Sequence, residues 1–209
     1  KRVYVYGSHD NLVTAYCGLD QVAWSAPVED LTQWRYDGVC FRNVVDGQAD
    51  VLYAPDIVEV IEDGQKVYYF TPNVQNGGRQ TLVARGTRPD GPFTPCNWDE
   101  PGRTTKGCFA FDPAIFQDED GRVYGYWGFE HSFAAELDPK TMSSVKPGTQ
   151  IVENMVSGRY DDGIFSFFEA SSMRKISASN KYNASGKDKY LFIYSLFTKD
   201  GEFWPGISN

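Results

Sequence analysis

The chain has 209 residues and a formal charge of −8, an acidity that excludes the basic face a nucleic-acid binder lays over phosphates. Hydrophobic residues make up 41% and charged residues 23%, which excludes a disordered tail or a collagen-like fibre. No apolar run reaches the roughly 18 residues of a membrane-spanning helix, so neither nucleic acid nor a membrane is an expected partner.

The first residues, Lys1-Arg2-Val3-Tyr4-Val5-Tyr6, read as a strand and not as a signal peptide. A strand at residue 1 suggests a chain that begins inside a domain, so the compartment is not legible. Cys17, Cys40, Cys96 and Cys108 include no CxxC pair and read as free thiols rather than a zinc cluster or a disulfide framework.

The strand Arg2–Ser8 has three counterparts further on: Lys66–Thr71, Arg122–Gly128 and Lys189–Ser195. All four are β-branched or aromatic nearly throughout, as a pleated strand prefers. Three of them follow Asp63-Gly64, Asp120-Gly121 and Ser185-Gly186, turn signals in which glycine accepts a positive φ. Ahead of those three lies another short run with a carboxylate at its start: Asp56 in Tyr53-Ala-Pro-Asp56-Ile-Val-Glu, Asp112 in Phe111-Asp112-Pro-Ala-Ile-Phe, and Glu169 in Phe168-Glu169-Ala-Ser-Ser-Met. Asp56 and Asp112 stand 56 residues apart, Asp112 and Glu169 57. Third strands are expected at 20–25, 80–85 and 132–137, and a weaker fourth begins at Trp34 and at Phe93. Short antiparallel strands repeated at this period predict an all-β fold, a β-propeller. A β-sandwich with uneven turns is the rival. Helical periodicity is absent, no linker is visible, and 1–209 reads as a single domain.

In a propeller the innermost strands converge on a central channel, so Asp56, Asp112 and Glu169 are expected to ring one funnel, each opening an inner strand. Gathered carboxylates shift one another's pKa, which keeps one protonated and another ionised. Glycoside hydrolysis needs that division: an acid for the leaving oxygen and a base or nucleophile opposite. Tyr53, Phe111 and Phe168 lie beside these carboxylates, and aromatic faces suit sugar rings. Asp118–Gly121 and Asp161–Gly163 lack the D-x-D-x-D-G pattern with its distal Glu and read as solvated turns, not calcium loops. His9-Asp10 reads as a pocket-rim or structural pair.

At these residues the chain resembles glycoside hydrolase family 43, whose members are inverting five-bladed propellers acting on arabinosides, xylosides and some galactosides. Tyr53-Ala-Pro-Asp56 resembles the Trp-Ala-Pro-Glu/Asp that starts blade two. Phe111 to Gly121 resembles the blade-three motif, whose Asp tunes and orients the acid, and Phe168-Glu169-Ala-Ser-Ser the blade-four motif that carries it. Gly7-Ser8-His9-Asp10 and Ala23-Trp-Ser-Ala26, followed by Trp34, fit blade one. Sister families that cleave fructosides carry Arg-Asp-Pro and Glu-Cys, where this chain has Phe111-Asp112-Pro and Glu169-Ala170.

The resemblance implies an inverting glycosidase of pentosides, α-L-arabinofuranosides or β-D-xylosides of plant polysaccharides, with Glu169 as general acid and Asp112 as its modulator. Tyr53, Asp56, Phe111 and Phe168 are then substrate-binding residues. It places the general base about eight residues before Lys1, by the 12-residue offset from Asp56 to Tyr68 and from Asp112 to Tyr124. It also places a fifth blade after Asn209, so the chain supplies roughly four blades of five. The missing blade would come from the rest of the same protein or another chain, and residues 1–209 alone are expected to be inactive. No cofactor and no metal ligand is assigned within the chain, while the complete domain has room for a structural calcium at the channel centre. The alternative is a non-catalytic carbohydrate-binding propeller on the same scaffold.

Overall fold

The computed structural model describes residues 1–10, 17–100, 104–156 and 166–197. Four of their β-sheets are the blades, and two further two-stranded sheets pair Val44–Val45 with Gln48–Ala49 and Trp98–Glu100 with Thr104–Thr105. Blade one is the antiparallel sheet Arg2–Ser8, Gln21–Pro27, Arg35–Phe41. Blade two is Asp56–Glu62, Gln65–Thr71, Ala84–Gly86, Thr94–Pro95. Blade three is Ala114–Gln117, Val123–Trp127, Phe133–Leu137, Val152–Glu153. Blade four pairs Ser166–Ile176 with Lys189–Phe197. The first strand of blade three packs against the first strands of blades two and four, so the innermost strands meet side by side, as the propeller reading requires.

The hairpin of blade two shows why the sequence turns where it does. Glu62 pairs with Gln65 across Asp63 and Gly64, whose φ values of 48° and 77° are those of a two-residue turn with both central residues left-handed, the kind whose twist matches the flanking strands. Pleating then sends alternate residues to opposite faces. Val67 and Tyr69 enter a core with Val83, beside the third strand of blade two, and with Ile115, Val123, Trp127 and Leu137 of blade three. Phe70 enters the other core, with Ala23, Cys40 and Phe41 of blade one, stacked on Phe93 at 4.6 Å. Blade two is therefore apolar on both faces, the pattern of a sheet enclosed between neighbours.

Polar side chains tie blade to blade. Gln21, fully buried, donates from Nε2 to Tyr53 O and Pro72 O at 2.7 Å each, fastening blade one to blade two. Thr71 Oγ1 donates to Pro113 O at 2.6 Å, fastening blade two to the segment that carries Asp112. Lys175 Nζ reaches Asp118, Glu119 and Asp188 at 3.0 Å, joining blade four to the first hairpin of blade three.

Some sequence expectations are corrected. The third strand of blade two begins at Ala84 rather than residue 80, because the Asn97 side chain takes Thr81 O and Val83 N–H in place of a ladder partner. The weak strand expected from Trp34 is the third strand of the blade-one sheet, Arg35–Phe41, and is a full seven residues. The turn at Asp118 is not simply solvated: its side chain is 11% exposed and is held by Lys175 and by Tyr190 Oη at 2.5 Å. The Asp161–Gly163 segment lies outside the described residues.

Candidate active site

Asp56 opens the first strand of blade two, Asp112 stands two residues before that of blade three, and Glu169 is the fourth residue of blade four's. Glu169 thus sits inside its strand instead of opening it. The pairing slips on both sides of it, between Phe167 and Glu169 and between Glu169 and Ser172, and Ala170 takes a φ of 61°. A bulge re-aims the side chains beside it. Here it turns the Ala170 N–H toward blade three, where it donates to Asp112 Oδ2 at 2.8 Å.

Asp112 is 5% exposed and itself left-handed, with a φ of 47°. Its other oxygen accepts from Asn73 Nδ2. Burial and, next, the neighbouring charge of Glu169 push its pKa up to about 7, against the pull of the Ala170 and Asn73 donors. Burial also raises Glu169. The two carboxyl groups are near enough for the charge of Glu169, which is half-buried, to hold a proton on the buried Asp112, the behaviour of coupled carboxyls.

The pair faces a cleft of about 830 Å³ lined by Tyr53, Phe111, Phe129 and Phe168, with Tyr6 and Cys17 at its blade-one side. The aromatic wall is continuous: Tyr53 to Phe111 at 5.8 Å, Phe111 to Phe129 at 5.2 Å, Phe129 to Phe168 at 5.0 Å. A turn builds it. Gly128 N–H donates to Phe111 O at 2.8 Å and Glu130 N–H to Phe168 O at 2.7 Å, so residues 128–130 strap together the stretches ahead of Asp112 and Glu169.

Asp56 does not line this cleft. It borders a separate cavity of about 130 Å³ with Asp112, Ser171 and Ser172, and Arg174 Nη2 holds its Oδ1 at 3.0 Å. Burial raises its pKa and Arg174 opposes the rise. The geometry therefore brings Asp112 and Glu169 together with the aromatic residues and turns Asp56 to the other side of Asp112. His9 pairs with Asp20, at 2.8 Å, rather than with Asp10, which accepts from Ser8 Oγ. Among the described residues no group of three or more His, Cys, Asp or Glu side chains could hold a metal ion, and no step below is routed through one.

Sequence reading missed Asn73 and Phe129. The signal was present: with Tyr4, Tyr68 and Tyr124 aligned, His9, Asn73 and Phe129 occupy one register, five residues on. Each follows the end of one of the repeated strands, Arg2–Ser8, Gln65–Thr71 and Val123–Trp127, and of the three Phe129 lines the cleft.

The family model for glycosyl hydrolases family 43 matches residues 22–169. A xylosidase/arabinosidase from Thermoclostridium stercorarium is 33% identical over 93% of this chain, which covers 42% of that relative; the chain spans less than half of its length. Another from Bacteroides ovatus is 36% identical over 70% of the chain and 52% of the relative. Among solved structures, an α-L-arabinofuranosidase from Clostridium thermocellum ATCC 27405 superposes with a TM-score of 0.55 at 24% identity, covering 99% of this chain and 62% of that one. The GH43_1 enzyme from Xanthomonas citri complexed with xylotriose gives 0.60 at 22%, covering 93% and 62%. The fold is that of their propellers, of which this chain supplies roughly four blades.

Proposed function

Because the chain belongs to glycoside hydrolase family 43, we propose that it carries the acid side of an inverting glycosidase of pentosides, with α-L-arabinofuranosides or β-D-xylosides as substrates. One observation carries the reading: a buried, doubly hydrogen-bonded Asp112 is fastened to the peptide after Glu169 at the head of an aromatic-walled cleft. Names of the relatives, xylosidase and arabinosidase, support the pentoside class.

In this mechanism the sugar lies against Tyr53, Phe111, Phe129 and Phe168, where its apolar face covers the rings and water is excluded. Glu169 gives its proton to the glycosidic oxygen as the bond to the anomeric carbon breaks. The reactive form is the one with Asp112 ionised, reached as pH rises through its pKa of about 7; in that form its charge raises the proton affinity of Glu169, and its hold on Ala170 N–H fixes where that acid points. A base carboxylate on the opposite face takes a proton from the attacking water, roughly 6.5–9.5 Å from the acid as inversion requires. In this proposal the base lies ahead of Lys1, where the resemblance to the family, counted by the 12-residue offset, would put it. Asp10, exposed and bound to Ser8, is not given the role. The four-residue aromatic wall also suits a sugar-binding module without catalysis, and the same experiment separates the two.

That experiment is Glu169→Gln in the protein as naturally encoded. Turnover of xylosides and arabinofuranosides with poor leaving groups should fall about 10²-fold or more, the scale of general acid catalysis. Activated aryl glycosides should lose less, because their leaving groups depart with little protonation. Equal losses on both would contradict the acid role, and a wild-type protein that binds pentosides without cleaving them would establish the binding module.

A further inference from the structure

Asn73 is 2% exposed and left-handed, with a φ of 46°. It lies on blade two, 39 residues from Asp112, and is tied to two parts of the cleft at once. Its backbone carbonyl accepts the Tyr53 N–H at 2.9 Å, and its side-chain amide donates to Asp112 Oδ1. Asp112 Oδ2 accepts the Ala170 N–H. Both oxygens of a buried carboxylate are thus met by uncharged donors, one from each neighbouring blade.

Resting on the proposed glycosidase reading, we infer that Asn73 is a positioning residue of the acid pair: through Asp112 it decides which of the two carboxyl groups carries the shared proton. Two neighbouring carboxyls, one buried and one half-buried, can place a single proton on either. Only the arrangement with Glu169 protonated and Asp112 ionised is productive. A hydrogen bond donated to an ionised carboxylate favours that charged form. Asn73 Nδ2 and Ala170 N–H are aimed at Asp112 and pull it toward its ionised form, against the burial and the Glu169 charge that hold a proton on it, so each donor shifts the balance toward a protonated Glu169. Other ionisable groups near Asp112 are Cys17, across the cleft from blade one, and Asp56 with Arg174 across the small cavity. Arg174 is committed to Asp56, and Asp112 has no cationic partner of its own among the described residues. The Asn73 amide therefore supplies on one side what a salt bridge would elsewhere.

Asn73→Gly and Asn73→Asp both tolerate the left-handed backbone and keep the carbonyl that receives Tyr53. The first removes the donor. The second keeps the shape and sets a third carboxylate where the donor was. In the protein as naturally encoded, each should lower turnover of poor-leaving-group pentosides about tenfold to a hundredfold, the scale of one hydrogen bond to a charged group. Losses on activated aryl glycosides should be small. The acidic limb of the kcat/KM profile should move to higher pH, because Asp112 holds its proton more tightly. Folded variants with an unmoved profile, or with equal losses on both substrate classes, would overturn the inference. So would failure of both variants to fold, which would make Asn73 a structural residue. Glu169→Gln measured in parallel keeps the two claims apart: if it retains full activity, the glycosidase reading fails; if it loses activity while the Asn73 variants behave as wild type, only the role of Asn73 fails.

Discussion

The backbone N–H of Ala170 donates to Asp112 Oδ2 at 2.8 Å, so the peptide immediately after Glu169 is fixed to a carboxylate of the neighbouring blade. The bond joins the two residues that divide the chemistry, and it depends on the bulge that gives Ala170 its φ of 61°. A regular strand would point that N–H along the ladder toward Lys189–Phe197. The cost of one left-handed alanine, about 1 kcal/mol or more, is the cost of aiming it at Asp112 instead.

Asp112 makes the fold less stable as pH rises. Its folded pKa of about 7 lies above the ordinary 3.8, so the folded state binds the proton more tightly than the unfolded chain does. The stabilisation from that proton is complete below about pH 4 and is lost as pH climbs through about 7. Asp112→Asn removes the titration. Its amide NH2 faces one of the two donors, a cost that does not vary with pH, so its stability relative to wild type should rise by about 2–4 kcal/mol between pH 4 and pH 8, while its activity collapses. Thermal melts of both proteins across pH 4–8 check this. A difference in Tm that does not grow with pH would show that Asp112 is not forced to ionise in a buried site.

Asp56 presents the opposite dependence on a partner. Its Oδ1 is held by Arg174 and, at 3.4 Å, by Ser172, while its Oδ2 is buried with no partner. Removing the guanidinium by Arg174→Ala leaves the carboxylate to burial alone and raises its pKa further. The loss of stability should be small below about pH 4, where Asp56 is protonated in either state, and should grow as pH rises to 7. Arg174 is about half exposed, so the loss is about 1–2 kcal/mol rather than the full cost of orphaning a deeply buried charge. Asp56→Asn added to Arg174→Ala should restore most of it. Chemical denaturation of the single and double variants at pH 4 and pH 7 checks this, and a double variant as unstable as the single one would refute the account.

How much of this was legible in the sequence follows from what repeats. The strand run Arg2–Ser8 and its counterparts could be read because alternation and the Asp-Gly turns are local, and local patterns survive in any fold that uses them. The meeting of Asp112 and Glu169 at one cleft was legible for the same reason, although Asp112 stands two residues before its strand and Glu169 is the fourth residue of its own. The separation of Asp56 from the cleft was not, since its side chain is drawn away by Arg174, 118 residues later, a partner no local pattern announces. The bulge at Glu169 was hidden because Ala170 is an alanine, and nothing in Glu-Ala-Ser-Ser signals a positive φ. Asn73 and Phe129 were hidden by their difference in kind: a histidine, an asparagine and a phenylalanine at one register do not look like a repeat.

Gly128 and Phe129 give the last prediction, because the strap separates placement of the aromatic wall from the wall itself. Gly128 has a φ of 144°, and a Cβ added there would lie 1.8 Å from His131 O, a backbone atom that cannot step aside. Gly128→Ala must therefore shift the strap and break its bonds to Phe111 O or Phe168 O. It should destabilise the fold by about 2–4 kcal/mol, as other substitutions at strained backbone sites do, and weaken substrate binding together with turnover. Phe129→Ala leaves the strap intact. Phe129 is 48% exposed and its ring packs on Phe111 and Phe168, so its removal should cost about 1 kcal/mol of stability. If the ring is a surface on which the sugar lies, KM for pentosides should rise several-fold, with kcat on activated aryl glycosides nearly unchanged. Melting curves and steady-state kinetics of the two variants side by side decide the matter: a Phe129→Ala protein that keeps its KM would remove Phe129 from the sugar site, and a Gly128→Ala protein as stable as wild type would show that the strap is not what holds the wall.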